Sequence, residues 1–394
     1  MRLAILATGC ALLLAGLGTR PLYAHGFGER YDLPVPLWLY IFGAGSAVAL
    51  SFVVIGQFLR KSPNRHDYPR LNLLRWGIGR AMVHPTIVLP ARGIAVVLLV
   101  VVTFAGLFGN TSPLENIAPT MVWVIWWVGL AYISALIGNL WAVINPWSTI
   151  FDLANWLYRR ADPEGELSLK SPYPDQLGIW PGVLLFFAFS WAEIAYSDSS
   201  FPSRIAQMIL VYSLVTWGGM FLYGREKWIR HGEAFSLAFG FLAKFAPTEI
   251  RVTSEETCGV CSVHCQDLNG QCIGCVSCFN TTETERRELN LRPFGVGLLR
   301  NEEVSTSTLA FIVLLLSTVT FDGFTATPLW SDIQITLYRS VPSITAIDTA
   351  GLLAFPLLFL GIYLTFAKLM AETSGRRQTG AEMVFARLFV HSLI

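Results

Sequence analysis

Long uncharged apolar runs are the feature that most constrains how this chain can fold. GIAVVLLVVVTFAGLF at 93–108 and TLAFIVLLLSTVTF at 308–321 contain no charged residue. With their apolar flanks, such runs are long enough to cross about 30 Å of hydrocarbon as helices. A helix also satisfies its own backbone hydrogen bonds in lipid. Charged residues are 14% of the chain, against about 25% in a soluble domain. The sequence therefore predicts an all-α membrane protein.

About seven membrane spans are expected after an N-terminal export signal. Residues 1–24 combine a basic start, an apolar run and a small residue, Ala24, at the expected cleavage position. An uncleaved first helix is the alternative. The spans are placed near 35–58, 92–110, 119–141, 179–196, 205–223, 306–322 and 347–369.

These spans define a membrane domain in two parts, 25–223 and 305–394, separated by a long loop at 224–304. Within the loop, HGEAFSLAFGFLAKFAP at 231–247 has apolar residues at helical spacing but is too short to span a bilayer. It predicts an interfacial or re-entrant helix. The centres of the spans are nearly free of polar residues, which argues against transport of polar solutes.

The distribution of basic residues predicts the orientation. One set of connecting segments holds 23 of the 28 Lys and Arg residues, and the opposite set holds only Arg30, Arg204 and Arg339. Because positive residues stay on the cytoplasmic side, the mature N-terminus is predicted to lie outside and the 224–304 loop in the cytoplasm.

The loop carries six of the seven cysteines, in the segment CGVCSVHCQDLNGQCIGC from Cys258. In the cytoplasm thiols stay reduced, and C-x2-C spacing lets two thiolates bind one ion from a tight turn. We expect a structural metal site, with zinc or an iron–sulfur cluster as its occupant. If the segment faced outward, three disulfides would be the preferred interpretation. The candidate ligands are Cys258, Cys261, Cys265, Cys272, Cys275 and Cys278.

The outer face offers a second candidate site. Cleavage after Ala24 would make His25 the first residue, and its α-amine and ring nitrogen form a chelate suited to copper or zinc. Glu193 and Asp322 lie at the outer ends of two spans, where an ionisable group is costly and a functional role is the default hypothesis. Asp348 belongs to the same face. Snorkelling to the headgroups, or pairing with Arg30 or Arg204, is the alternative role for each carboxylate.

The chain ends in GAEMVFARLFVHSLI, which starts like an amphipathic or membrane-entering helix. We expect either a second membrane subunit that completes the fold or a short helix on the membrane surface. The net charge of +1 gives no indication of a nucleic-acid partner.

The segments HGFGERYDLPVPLWLYIFGAGSAVALSF and FDGFTATPLW, together with the cysteine-rich loop, resemble a family of bacterial multi-span proteins that includes the membrane-bound fenitrothion hydrolase. The resemblance implies a location in the bacterial inner membrane, hydrolysis of apolar organophosphorus triesters at the phosphorus–aryloxide bond, and a split enzyme of two membrane subunits. It assigns no catalytic residue.

A metal-activated water would supply the nucleophile for such a reaction. His25 and a subset of Glu193, Asp322 and Asp348 would then bind the ion, and a remaining carboxylate would act as base. Two other functions stay open: a non-enzymatic copper- or zinc-binding membrane protein, and a structural subunit of a membrane complex.

Overall fold

The structure is a computed structural model that describes residues 42, 46, 68–260, 272–299 and 305–373. The predicted signal peptide 1–24, His25 and nearly all of the first predicted span lie outside these residues. So do Cys261 and Cys265 in the loop and the C-terminal segment 374–394.

The described chain is mostly helical, and six of its helices are long and apolar enough to cross a membrane. This confirms six of the seven predicted spans by length and composition, so the protein is a multi-pass membrane protein. We number their main helices by position in the chain: α2 Pro85–Phe108, α3 Ile117–Leu136, α6 Trp180–Ile194, α7 Pro202–Tyr223, α12 Thr306–Thr325 and α14 Ile344–Thr373.

The sequence placed the start of this span near Arg92, but helix α2 begins earlier, at Pro85. His84 is its N-cap, the His84 ring accepts a hydrogen bond from the backbone N–H of Thr86, and Pro85 occupies the first turn. Proline suits that turn because its missing N–H would have no helical partner there. Arg92 is therefore inside the helix, and its Nε donates to the carbonyl of Val143 at 2.9 Å.

The outward faces of the spans are apolar. In the most apolar 18-residue stretch of α2, only 11% is buried inside the protein. The exposed side chains include Ile94, Val97, Val101 and Phe104. In water so large an apolar surface would drive association, whereas lipid solvates it. The helices therefore belong in a bilayer.

The spans alternate in direction, so the bundle has two distinct ends. At the first end the backbone N–H of Ile179 donates to Ser307 Oγ, and Thr248 Oγ1 donates to the carbonyl of Ile137. At the second end Trp123 Nε1 donates to the carbonyl of Ser199. Of the Lys and Arg residues in the described ranges, only Arg204 and Arg339 lie near the second end. We call the first the basic end and the second the opposite end.

Short helices fill the basic end: α1 Gly77–Met82, α4 Trp141–Ile144, α5 Pro146–Ala161, α8 Arg225–His231 and α9 Ala234–Leu242. Helix α9 lies in the expected 231–247 segment. Its Phe235 and Phe239 pack on Trp126 and Trp127, which are at the middle of span α3. Helix α9 is thus re-entrant rather than interfacial.

A four-stranded antiparallel sheet lies at the basic end, with strand order β1-β4-β2-β3. One strand comes from the segment before α2 and three come from the 224–304 loop. The strands are β1 Leu71–Asn72, β2 Thr248–Val252, β3 Cys272–Ile273 and β4 Arg287–Leu291. Helices α10 Glu255–Val260 and α11 Val276–Thr281 connect them, and α13 Pro328–Tyr338 lies at the opposite end. The all-α expectation therefore does not hold for this loop. Its strands are short, with no clean alternation, and β1 comes from a distant segment, so local periodicity is a weak signal here.

Candidate functional site

Two of the predicted carboxylates meet at the opposite end of the bundle. Glu193 is in the last turn of α6 and is half-buried, while Asp322 is in the last turn of α12 and is exposed. The two helices pack side by side, and the carboxyls are close enough to interact electrostatically. Two like charges in this position repel each other, and a cation or a shared proton would relieve that repulsion.

Hydrogen bonding leaves Glu193 available for chemistry. Among the described residues, no donor forms a hydrogen bond to its carboxyl group, and its electrostatic neighbour is Asp322. At the edge of a membrane an ionisable group in this state is a functional candidate.

Asp348 has different surroundings, although it lies in the same part of the bundle. It is 8% exposed, and its Oδ1 accepts hydrogen bonds from Trp330 Nε1 at 3.0 Å and Gln334 Nε2 at 2.6 Å. Both donors are on α13, so Asp348 attaches this helix to the start of α14. Within the described ranges no three His, Cys, Asp or Glu side chains are close enough to hold one ion. Asp348 therefore does not complete a metal site with Glu193 and Asp322.

The remaining polar groups of this face have local partners. The carboxylate of Asp198 lies 3.9 Å from Arg204, an ion pair that is half exposed. Glu115 accepts a hydrogen bond from Asn110 in the loop before α3. Asp198 therefore has an arginine partner and Glu115 an amide partner.

At the basic end, the four described cysteines of the loop share one buried core, although no three of them are close enough to hold one ion together. All four are buried in one cluster with Val252, Phe279 and Leu289. The cluster belongs to the sheet module, by which we mean the four-stranded sheet with helices α10 and α11. The four cysteines are Cys258, Cys272, Cys275 and Cys278. Burial of several thiols in one small core is typical of a structural metal site or of a disulfide-linked core.

Backbone and side-chain donors point at the sulfur atoms. The N–H of Cys272 donates to Cys258 Sγ at 3.0 Å, and the N–H of Cys278 donates to Cys275 Sγ at 3.4 Å. A guanidinium N–H of Arg230 also lies 3.2 Å from Cys275 Sγ. The sulfur atoms of Cys258 and Cys275 are therefore hydrogen-bonded within the cluster.

The oxidation states differ within the cluster. Cys258, Cys272 and Cys275 are outside disulfides, whereas Cys278 is disulfide-bonded. A disulfide is the arrangement that the sequence analysis associated with an outward-facing segment. Cys261, Cys265 and His25, the other candidate ligands, lie outside the described residues.

The sheet module has a buried charged network beside the cysteines. Glu249 accepts hydrogen bonds from Arg292 at 2.5 Å, Arg251 at 3.2 Å and the Tyr68 hydroxyl at 2.6 Å. Burial, and then the bond to Glu249, raises the pKa of Tyr68. Two guanidinium groups surround this carboxylate, so the network stabilises the module and does not offer an open metal ligand.

Sequence reasoning missed a third polar centre, Glu233. This side chain is 0% exposed and caps α9, accepting from the backbone N–H groups of Phe235 and Ser236. Its carboxylate also accepts from Trp141 Nε1 at 3.1 Å, Asn145 Nδ2 at 3.2 Å, the Ser236 hydroxyl at 2.5 Å and the Tyr212 hydroxyl. Tyr212 is at the middle of span α7, so the carboxylate lies deep within the bundle.

A closed circuit of aromatic rings surrounds Glu233. Successive rings have centroids 5.1 to 6.3 Å apart. They are Trp141, Trp147, Tyr212, Phe235 and Phe239. Six donors exceed the roughly four acceptor positions of a carboxylate, so Glu233 has no direction left for a metal ion. It holds the re-entrant segments together.

One sequence signal pointed toward this centre. Asn145 precedes Pro146, and the residue before a proline commonly ends a helix. Asn145 indeed follows the end of α4, caps α5 and donates to Glu233. The polar group at this depth, Glu233, comes from a segment outside the predicted spans, so the expectation of nearly polar-free span centres did not reveal it.

Comparisons of the chain with protein-family profiles, curated proteins and solved structures give no significant match.

Proposed function

We propose that the chain is a multi-pass protein of the bacterial inner membrane that hydrolyses apolar organophosphorus triesters at its opposite end. The basic end faces the cytoplasm, and the mature N-terminus faces outward, because basic segments remain on the cytoplasmic side. The sequence resemblance supports the substrate class. A second membrane subunit completes the enzyme.

The observation that carries this proposal is the adjacency of Glu193 and Asp322 at the end of two packed spans. A pair of repelling carboxylates, of which Glu193 accepts no hydrogen bond from the described residues, provides a general base and a cation ligand in one place. Trp191 and Ile194 of α6 and Phe324 of α12 lie near the pair in sequence and are only partly buried, so a triester that partitions into the bilayer would meet apolar side chains beside the pair.

Residue roles follow from exposure. Asp322 is exposed and would bind a divalent ion together with His25, while the half-buried Glu193 would accept a proton from the attacking water. That water forms the new bond to phosphorus as the aryloxide leaves with the electrons of the broken bond. An ion bound there would lower the pKa of water and polarise the phosphoryl oxygen. Asp348 positions α13 beside the site through Trp330 and Gln334.

The test is release of nitrophenolate from fenitrothion by membranes that contain this chain and its partner subunit. Glu193→Gln should lower the rate at least about 100-fold, since the variant loses its general base. Asp332→Asn, on the exposed side of α13, is the matched control and should keep the full rate. A chelator should abolish activity and zinc should restore it.

An unchanged rate in Glu193→Gln would refute the catalytic role of the pair. Absence of hydrolysis in the wild type with its partner would refute the enzyme. The alternative is then copper or zinc binding at His25 without catalysis, which His25→Ala would abolish.

We also propose that the cysteine cluster binds zinc as a structural ion. The burial of four cysteines in one core, with hydrogen bonds from the N–H groups of Cys272 and Cys278 to two of the sulfur atoms, supports this proposal. A site of this kind would need the Cys278 disulfide to be reduced. A fully thiolate-bound zinc leaves no open position, so the ion would fold the loop and would not catalyse a reaction.

Metal analysis of protein purified under reducing conditions tests this second proposal. Cys258→Ser and Cys275→Ser should each lose about one zinc ion per chain, because removal of a ligand sharply weakens a structural site. Ser277→Ala is the control, because Ser277 lies in α11, the helix that Cys275 caps, and is not a candidate ligand. This variant should keep its zinc. Iron with visible absorption would instead indicate an iron–sulfur cluster, and equal metal content in all variants would contradict a site here.

A further inference from the structure

Helix α5 has two different apolar faces. Trp147 and Phe151 are buried in the bundle, whereas Leu153, Trp156 and Leu157 are 56%, 49% and 55% exposed. The exposed residues are spaced three and four apart, so they form one stripe along the helix. An exposed Leu-Trp-Leu stripe is characteristic of a helix in contact with lipid.

The position of this stripe relative to the bilayer follows from a neighbouring ion pair. Asp152 accepts a hydrogen bond from Arg225 at 2.8 Å, and Arg225 begins α8 two residues after span α7 ends at Tyr223. Residues one turn beyond Asp152 therefore lie at the level where the spans leave the hydrocarbon. Tryptophan is enriched at that level because its ring is apolar and its N–H is polar.

Two arginines end the stripe. The Arg160 guanidinium lies over the Trp156 ring, 4.1 Å from its centroid, and no carboxylate in the described part of the chain pairs with it. Arg159 lies 3.7 Å from Glu166, which is also bonded to Lys170 at 2.5 Å. The hydrogen bond from Lys170 holds the pKa of Glu166 below its usual range. Arg160 thus remains the more available cation, and Arg159 shares an ionised carboxylate with Lys170.

We propose that this surface, formed by Leu153, Trp156, Leu157, Arg159 and Arg160, binds an anionic phospholipid. The acyl chains lie on the leucines and the indole, and the phosphate contacts Arg160 and then Arg159. A planar guanidinium matches the geometry of phosphate oxygens. Basic residues beside a bilayer also attract anionic headgroups. The surface is at the basic end, away from the Glu193–Asp322 pair, so the proposal does not depend on the hydrolase.

Native mass spectrometry of the full chain in detergent tests this with added phosphatidylglycerol and phosphatidylcholine. The wild type should retain phosphatidylglycerol in preference. In Arg159→Gln/Arg160→Gln its apparent affinity should fall about tenfold or more. Trp156→Ala should weaken both lipids, because it removes apolar contact area. Arg204→Gln/Arg339→Gln at the opposite end is the matched control and should bind as the wild type does.

Equal retention of the two lipids by the wild type would overturn the proposal and leave the surface to a protein partner. So would unchanged phosphatidylglycerol binding in the Arg159/Arg160 variant. A helical circular dichroism spectrum that matches the wild type shows that each variant is folded.

Discussion

Two carboxylates in this bundle differ in the groups that surround them: one is surrounded by hydrogen-bond donors and the other lies near a second carboxylate. Glu233, at the inner side of the re-entrant segments, is completely buried and accepts hydrogen bonds from six donors. Glu193, at the opposite end, has another carboxylate as its electrostatic neighbour. Burial of a charge is therefore a poor guide to function by itself. A saturated carboxylate organises structure, while one beside a like charge has affinity left for a proton, a cation or a substrate.

The largest expected effect is on the saturated site. Glu233→Gln replaces an acceptor-only group by an amide whose NH2 faces Trp141 Nε1 or Ser236 N–H, leaving buried donors without acceptors. We expect the free energy of unfolding to fall by about 3 kcal/mol or more. Thermal unfolding in detergent measures this loss.

Glu226→Gln is the control for that change, because Glu226 is exposed on α8, seven residues earlier in the chain, and pairs with Arg225 at 3.5 Å. Its unfolding should match that of the wild type. If both variants unfold alike, the hydrogen bonds to Glu233 are not what holds the re-entrant segments.

A smaller loss is expected when one donor to Glu233 is removed. Trp141→Phe keeps the aromatic circuit but loses the N–H bond, which should cost about 1 kcal/mol of stability. Trp126→Phe is the matched control. Its indole packs against Trp141 with centroids 5.6 Å apart, and it donates no hydrogen bond to any residue in the described ranges. Equal unfolding of the two variants would show that the carboxylate tolerates the loss of a donor.

The smallest effect on stability is expected at the Glu193–Asp322 pair, in contrast to the large effect proposed for it on hydrolysis. Glu193→Gln removes the repulsion from Asp322, so the free energy of unfolding should stay the same or rise by about 1 kcal/mol or less. The same thermal unfolding measurement applies. A clear destabilisation would mean that Glu193, like Glu233, has a structural role, and would erase the distinction between the two sites.

Six of the membrane spans could be predicted because the signal is local. An uncharged run such as 93–108 has few alternatives to a membrane helix, whatever the rest of the chain does. Their basic and opposite ends could be predicted for the same reason, since alternation of the spans assigns each Arg and Lys to an end. The sequence places Glu193, Asp322 and Asp348 on one face, whereas the separate role of Asp348 depends on its hydrogen bonds with Trp330 and Gln334.

The centre around Glu233 could not be predicted, because its parts are far apart in sequence. Trp141 and Glu233 are separated by 92 residues, and Asn145 and Glu233 by 88. Each is an ordinary polar residue of a connecting segment until the chain folds back between the spans. The sheet escaped prediction similarly, because β1 at Leu71–Asn72 pairs with β4 at Arg287–Leu291.

The sequence alone determined that this chain crosses a membrane several times and which ends of the spans carry positive charge, since lipid imposes one secondary structure on each apolar run. Only the tertiary structure decided which acidic groups are saturated and which are not. Hydrogen-bond donors reach a buried carboxylate through contacts between distant segments, and no local pattern of residues encodes those contacts.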